Sequence, residues 1–414
     1  MTAVHTESVA ADLGDVVLVN PLMTGYGFKR ACRERGLRVV ALYTLDRGLL
    51  SSLQADYTSG DDLSLYARDA AAAQGLVASP VRAVIPTTEP SVVIADGLSG
   101  ALGLPGNPTA TALARRDKTA MRTHAAARGV PVPDFEATST EGVAAALGRV
   151  GHPAIVKPAT GAGSQGTVLV ADPAEAASLD LRTVDTFGSP VGTWLVERYV
   201  RGRELAVNTF SQGGRHRVLD VWEYCQPSES DYDQPYWDVV QLSPDDPGLA
   251  RATSLALRVL NAYEVELGPA HVEVKIGLEG DFLIEIATRL PGAHMVDHWE
   301  RNSTIRPYAD TLAAYLGEDT GLLERDLGFD RALGVCCLRN DDRPGTITAL
   351  TSADELAGLP GVEEVFLHVS PGDIIPLTRD LGSLVGFVLV SAPEHETLRE
   401  YMSRVRSHVK LELA

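Results

Sequence analysis

Two glutamates stand near the middle of apolar segments that a short, glycine-containing connection joins. The segments are residues 270–275, with Glu273, and 282–292, with Glu285, and the connection is 277–281. Alternating apolar runs around such a turn predict a β-hairpin. An unpaired carboxylate in a buried strand is costly, so each glutamate requires a positive partner. A few oxygen ligands of this kind suit Mg²⁺, which completes its shell with water and phosphates. A hairpin with two surface salt bridges is the alternative.

An arginine follows the second glutamate on the same predicted strand. Arg289 lies four residues after Glu285. If Glu285 holds a metal ion, the Arg289 guanidinium lies beside that ion and can bind an anionic reaction intermediate. Arg289 is therefore the candidate catalytic residue.

A glycine-rich loop lies between two further predicted strands, upstream of the hairpin. Strand 154–157 ends in Lys157, the loop covers 158–167, and a second strand follows at 168–171. Glycines let backbone N–H groups approach phosphates closely, and Lys157 adds a positive charge. The loop lacks the Gly-Lys-Ser/Thr ending of a P-loop and no helix follows it. The candidate phosphate-binding loop residues are Gly161, Gly163, Ser164, Gln165 and Gly166. An ordinary glycine-rich turn is the alternative.

The segment 194–208 combines a short apolar strand, a Gly turn and a second strand. Exposed backbone at such a crossing can bind the edge of a purine, and a nearby acid can accept hydrogen bonds from ribose hydroxyls. The candidate nucleotide-binding residues are Glu197, Tyr199, Val200 and, for the ribose, Glu204. Each of the two acids, taken alone, also fits a surface salt bridge.

Three more polar residues are candidates. Glu89 follows the predicted strand 83–86, at the strand end where open α/β sheets bind ligands, and could bind a substrate ammonium group. Lys118 lies within a predicted helix over 109–128. His294 and the polar, aromatic loop 224–247 are candidates for the second substrate. For each of them a solvated or structural role stays open.

The elements that position these residues follow an α/β pattern. A predicted leader at 1–14 precedes a strand–helix–strand unit over 15–42, and further alternation indicates a parallel sheet. The glycines after the first strand do not form the dinucleotide-binding pattern G-x-G-x-x-G. Strands and helices alternate again after residue 334. With 414 residues, the chain is long enough for two or three domains.

Composition restricts the partners. Lys and Arg number 36 against 55 Asp and Glu, which gives a formal charge of -19 and argues against nucleic acid or an anionic membrane as partner. We find neither a signal-peptide pattern nor an apolar run long enough for a bilayer, so we expect a cytoplasmic protein. The four cysteines lack metal-ligand spacing, which predicts reduced thiols.

In this order, the motifs resemble those of the ATP-grasp superfamily. The resemblance covers about residues 15–330 and rests on Arg-Asp-Lys118-x-x-Met-Arg, Ile-Val-Lys157-Pro, the glycine loop, Glu197 to Glu204, Glu273 and Glu285-x-x-x-Arg289. It implies a mixed α/β and α+β fold that binds ATP and Mg²⁺ between two subdomains. Lys118 and Lys157 would contact the phosphates, the 161–166 loop would form a lid, and Glu273 and Glu285 would ligate Mg²⁺. The resemblance implies four parts. They are an N-terminal Rossmann-like pre-ATP-grasp domain (1–112), a lid subdomain with its preceding helix (113–193), a catalytic subdomain (194–330) and a C-terminal accessory domain (331–414).

One position departs from the superfamily pattern. Many members have Glu-x-Asn-x-Arg on the second metal strand, whereas this chain has Ala287 in place of Asn. One side-chain oxygen ligand is therefore missing, and Thr288 or water could replace it. A small residue at this place is common among bacterial L-amino acid ligases that resemble the alanine–anticapsin ligase, and the tail also resembles their C-terminal domain.

The resemblance implies an ATP-dependent carboxylate–amine ligase. Its substrates would be a small-molecule carboxylate, such as an amino acid, and an amine, joined through an acyl phosphate in specialised metabolism. The alternatives are an ATP-grasp synthetase of purine or carboxylase type and a non-catalytic nucleotide-binding protein. Dimers are common in the superfamily, so a homodimer stays open.

Overall fold

The computed structural model describes residues 14–77, 80–176, 179–181, 183–226 and 237–414. The predicted leader, except for its last residue, and the centre of the predicted loop 224–247 lie outside these ranges. Within them, none of the helices is both long and apolar enough to cross a bilayer.

The N-terminal part is a parallel sheet between helices, as the sequence predicts. Its strands have the order β3-β2-β1-β4. Strand β1 is buried at all five positions, which is typical of parallel strands covered on both faces. The elements are β1 (Asp15–Val19), α1 (Gly27–Glu34), β2 (Arg38–Tyr43), α2 (Arg47–Leu53), β3 (Leu63–Tyr66), α3 (Ala70–Leu76), β4 (Val81–Pro86) and α4 (Val92–Leu102).

The prediction of a single helix over 109–128 is wrong. The segment contains α5 (Thr109–Ala112), a 3₁₀ turn and α6 (Lys118–Ala127). The Asp117 side chain accepts a hydrogen bond from the Ala120 N–H at 2.8 Å and so caps α6. Lys118 is the first residue of α6, where its N–H has no partner within the helix, and it donates to the Ala159 carbonyl at 2.8 Å. Because α6 begins at Lys118, the backbone of this residue is free to bind the start of the glycine loop.

The glycine loop belongs to a small α+β unit. Its antiparallel sheet has the order β5-β8-β6-β7 and packs on α7 around the fully buried Trp194. The loop joins β6 to β7, as predicted. The elements are β5 (Phe135–Thr138), α7 (Val143–Val150), β6 (Ala154–Pro158), β7 (Val168–Val170), α8 (Pro173–Ala176) and β8 (Trp194–Arg198).

The central element is an eight-stranded sheet that includes the predicted hairpin. Its first part contains β9 (Arg203–Gln212), β10 (Arg215–Cys225), β11 (Asp238–Gln241), α9 (Leu249–Ala262), β12 (Leu267–Ile276), β13 (Asp281–Ala287), α10 (Met295–Asn302) and α11 (Pro307–Tyr315). Helices α10 and α11 are separate elements, and Pro307 is the first residue of the second.

The C-terminal part extends the same sheet. It contains β14 (Ala332–Leu338), β15 (Gly345–Leu350), α12 (Ala353–Ala357), β16 (Val362–Leu367), β17 (Ile374–Ile375), β18 (Gly386–Ala392), α13 (His395–His408) and β19 (Leu411–Leu413). The sheet order is β13-β12-β9-β10-β11-β14-β18-β16. Strands from both sides of residue 330 therefore share one sheet, and the division into four domains stays a prediction. All four cysteines are free thiols, and three of them are buried.

Candidate active site

The hairpin β12–β13 aligns the two candidate metal ligands. Glu273 lies directly opposite Glu285, and His271 lies directly opposite Ala287. Because side chains alternate along a strand, these four residues share one face of the hairpin. All four line one cavity of about 100 Å³. Thr288 does not line it, and its buried Oγ1 has no hydrogen-bond partner among the described residues.

Lys118 reaches the same cavity from α6. Its Nζ donates to Oε1 of Glu285 at 3.1 Å and to the Gly161 carbonyl at 3.2 Å. The side chain is buried, so one cation joins a candidate metal ligand to the glycine loop. The break before α6 makes this contact possible.

The glycine loop covers the cavity. Gly161, Gly163 and Gly166 have φ values of 106°, 67° and 75°, which favour glycine over L-residues. The backbone N–H of Leu381, from the C-terminal part, donates to the Gly163 carbonyl at 3.2 Å. Leu381 also lines the cavity, a contribution that sequence reasoning missed. The residues of the loop 158–167 that line it are Pro158, Thr160, Gly161, Ala162, Gly163, Ser164, Gln165 and Thr167, and the predicted Gly166 is not among them.

Behind the loop, Glu197 pairs with two cations. Its carboxylate accepts hydrogen bonds from Arg122 and lies 2.5 Å from Nζ of Lys157. Burial alone would raise the pKa of Glu197, but the two cations outweigh burial and hold that pKa at about 2. Burial lowers the pKa of Lys157. The Glu197 side chain is thus an ion-pair partner, which leaves only its backbone for the predicted contact with adenine.

Sequence reasoning missed Arg122, although it ends the motif that carries Lys118. The two residues are four positions apart and therefore lie on the same face of α6. That spacing could have indicated a second cation directed towards the same site.

The predicted ribose ligand faces a lysine. Nζ of Lys275 lies 3.8 Å from Oε2 of Glu204 and 4.6 Å from the centre of the Tyr199 ring. Burial raises the pKa of Glu204. Glu204 lines the main cavity and a neighbouring cleft that also contains Tyr199, whereas Val200 is buried and lines neither. The nucleotide contacts of these residues stay predictions.

Two candidates from distant parts of the chain contact each other beside the cavity, which Arg289 lines and Glu89 does not. Nε of Arg289 donates to Oε2 of Glu89 at 2.9 Å, and only 3% of the Glu89 surface is exposed. The other carboxylate oxygen, Oε1, has no hydrogen-bond partner in the part of the chain that the structure describes. The predicted ammonium ligand and the predicted catalytic arginine are therefore neighbours.

His294 lies apart from these groups. Its ring stacks on Phe366 with centroids 3.9 Å apart, and its Nδ1 lies 2.7 Å from Oδ2 of Asp297. It does not line the cavity, although the preceding Ala293 does. In this arrangement His294 joins the loop after β13 to the C-terminal part, and a substrate contact stays a prediction. Tyr224 and His271 do line the cavity, and sequence reasoning assigned neither of them a role individually.

The donor set fits Mg²⁺ shared with a phosphate-bearing ligand. Within the described ranges, no group of three or more His, Cys, Asp or Glu side chains is placed to hold a metal ion. Two opposed carboxylates are nevertheless the usual protein contribution to an Mg²⁺ ion that also binds substrate phosphates. Glu273 and Glu285 satisfy this requirement.

Comparison with known proteins agrees with this geometry. A model of the ATP-grasp domain matches residues 150–297, and one of the L-amino acid ligase C-terminal domain 2 matches residues 341–414. Residues 150–297 thus match an ATP-grasp domain. The homologues and structural neighbours of the chain are ATP-grasp ligases that form carbon–nitrogen bonds.

Two curated relatives and one solved structure are similar to this chain over most of its length. The L-arginine-specific L-amino acid ligase of Bacillus subtilis is 27% identical over 315 residues, or 72% of each chain. Dapdiamide A synthase of Enterobacter agglomerans is 26% identical over 340 residues, or 79% of this chain and 78% of that protein. The crystal structure of an L-amino acid ligase from Bacillus licheniformis has a TM-score of 0.78 at 20% identity and covers 97% and 99% of the two chains. The similarity to this crystal structure shows a shared fold only.

Proposed function

We propose that this ligase uses ATP and Mg²⁺ to join the carboxylate of an amino acid to the amine of a second small molecule. The observation that carries the proposal is the ion pair between Glu89, from the N-terminal part, and Arg289, which lines the cavity that also contains Glu273 and Glu285. The two charges of this pair complement the ammonium and carboxylate groups of an amino acid. The named activities of the two curated relatives support an amino-acid substrate.

The residues on the glycine-loop side bind and neutralise the nucleotide. Lys118 and Lys157 supply the positive charge that a protein of formal charge -19 must place beside the phosphates. Glu204 binds the ribose, and the backbone of 197–200 binds the adenine. Glu273 and Glu285 hold Mg²⁺, which when bound neutralises charge on the transferred phosphoryl group. The loop at 161–166 excludes water from the reactive acyl phosphate.

The residues on the Arg289 side of the cavity bind the amino acid. Glu89 accepts the substrate ammonium group at Oε1, the oxygen without a partner among the described residues. Arg289 holds the substrate carboxylate and then stabilises the negative charge that develops when the amine attacks. The products are an amide, ADP and phosphate.

The test is a paired assay of the purified protein with ATP, Mg²⁺ and a panel of amino-acid pairs. We expect phosphate release that depends on both substrates, with amide products identified by mass spectrometry. The control is Arg289→Ala, which should bind ATP in calorimetry but lose turnover by about 10²–10³-fold. Absence of any pair-dependent phosphate release would contradict the proposal. Phosphate release without an amide would indicate another acceptor.

A further inference from the structure

One buried cation, Arg116, differs from the other buried cations in its partners. In the part of the chain that the structure describes, the buried Lys and Arg residues are Lys29, Arg115, Arg116, Lys118, Arg122, Lys157 and Lys275. All of them except Arg116 lie within 3.8 Å of a carboxylate oxygen. Arg116 has no such carboxylate among the described residues, although only 8% of its surface is exposed. Because a buried charge is costly unless it is paired, Arg116 requires an anion.

The contacts that Arg116 makes do not neutralise its charge. Its Nη1 lies 3.5 Å from the carbonyl oxygen of Gly161, which is long for a hydrogen bond. Its guanidinium carbon lies 5.6 Å from the centre of the Phe187 ring. A carbonyl group and an aromatic face both attract a cation, but neither carries a net negative charge.

The acids in the adjoining segments bind other groups. Asp117, the next residue in the chain, accepts a hydrogen bond from the Ala120 N–H at 2.8 Å and caps α6. Asp185, two residues before Phe187, accepts hydrogen bonds from the Thr160 hydroxyl at 2.7 Å and from the Phe187 N–H at 2.9 Å. Both carboxylates are thus used by the local backbone and by the start of the glycine loop, and the anion for Arg116 has to come from a ligand.

Arg116 lies beside the phosphate site that the proposed function requires. The Gly161 carbonyl that it contacts also accepts a hydrogen bond from Nζ of Lys118 at 3.2 Å, so two cations share one oxygen of the glycine loop. Gly161 and Lys118 line the cavity, whereas Arg116 does not. A phosphate can therefore reach the guanidinium only when the loop shifts as it folds over a nucleotide. A phosphate that replaces the shared carbonyl would supply both cations with a full negative charge.

We propose that Arg116 is a further ligand of the ATP phosphates, which it contacts when the glycine loop folds over the bound nucleotide. A guanidinium can donate to two phosphate oxygens at once, whereas a single carbonyl offers it only one acceptor. The bound nucleotide then provides the anion that the described part of the protein does not. This inference rests on the proposed function, because it requires ATP in the cavity.

The first test measures stability without nucleotide. Arg116→Met removes a buried charge that has no carboxylate partner among the described residues, so the melting temperature should stay at the wild-type value or rise. The matched control is the neighbouring Arg115→Met, which leaves the buried carboxylate of Asp96 without the cation that lies 2.8 Å away. That variant should melt several degrees below the wild type.

The second test measures ATP binding by titration calorimetry in the presence of Mg²⁺. Arg116→Met should bind ATP at least about tenfold more weakly than the wild type, because it loses hydrogen bonds to a charged group. Arg116→Lys should recover part of the affinity, since it keeps the charge but not the paired donors. Arg149→Gln, which removes an exposed ion pair with Glu136, should bind ATP like the wild type.

The possible failures differ. If Arg116→Met binds ATP as tightly as the wild type, Arg116 is not a phosphate ligand and the proposed function stands. If Arg116→Met loses as much thermal stability as Arg115→Met, Arg116 holds the fold rather than a ligand, and the inference is again overturned. If the wild type binds no ATP, the inference and the proposed function both fail.

Discussion

Arg289 and Glu89 form an ion pair at 2.9 Å, although 200 positions separate them. The pair joins the segment after β13 to the turn after β4, and the carboxylate keeps one oxygen without a partner among the described residues. A carboxylate and a guanidinium placed side by side complement the ammonium and carboxylate groups of an amino acid. The ion pair therefore offers the two charges that the proposed amino-acid substrate requires.

Replacing Glu89 with Gln should weaken amino-acid binding without weakening ATP binding. A hydrogen bond to a charged group contributes about 1.5–3 kcal/mol, so we expect KM for the amino acid to rise at least about tenfold. KM for ATP should stay within about twofold of the wild-type value. Steady-state kinetics with each substrate varied in turn measure both effects.

A desamino analogue of the same substrate provides the control for Glu89. The wild type should discriminate strongly against the analogue, whereas Glu89→Gln should largely lose this preference. Equal discrimination in both proteins would show that Glu89 does not bind the ammonium group.

The local parts of the site could be predicted from sequence. The β12–β13 hairpin with its opposed glutamates follows from alternation and a glycine turn, and the loop between β6 and β7 follows from its glycines. These features depend on residues close in sequence, whose periodicity is directly visible.

The contacts between distant segments could not be predicted in this way. The partners of Glu197 come from α6 and β6, and Leu381 reaches the loop from the C-terminal part. Nothing in the local pattern distinguishes Leu381 from an ordinary loop residue, and the spacing of Arg122 from Lys118 indicates a shared helix face but not its partner Glu197. The helix break before Lys118 was also missed, because a single Asp cap outweighed the helical propensity of the alanine-rich segment.

Replacing Glu197 with Gln should destabilise the fold. The change leaves Arg122 and Lys157 buried without their shared carboxylate. Removing one partner from a buried ion pair typically costs about 3–5 kcal/mol. Urea denaturation should show this loss, whereas Glu136→Gln, which removes an exposed ion pair with Arg149, should leave the urea midpoint close to the wild-type value. A loss of similar size in both variants would show that the buried ion pairs of Glu197 contribute no more to stability than an exposed pair.

The contribution of Glu197 should also depend on pH. Its pKa is about 2 in the folded protein against an ordinary value of 4.5, so its ionised form stabilises the folded state above pH 4.5. This contribution, about 3 kcal/mol at most, should disappear as the pH falls from 4.5 towards 2. The difference in unfolding free energy between wild type and Glu197→Gln should therefore be constant from about pH 5.5 to 7.5 and shrink below pH 4.5. A difference that persists unchanged at pH 3 would argue against a charge effect.

Replacing Gly163 with Ala should uncouple ATP hydrolysis from amide formation. Gly163 has a φ of 67°, and a Cβ atom there would lie 3.1 Å from the Leu381 side chain. The left-handed backbone costs an L-residue about 1–2 kcal/mol, so the loop should close less completely and admit water to the acyl phosphate. The ratio of released phosphate to amide should rise several-fold in the variant. Gly148→Ala, in α7 with open space around it, should leave that ratio at the wild-type value. If both variants keep a ratio of one, closure of this loop does not protect the intermediate.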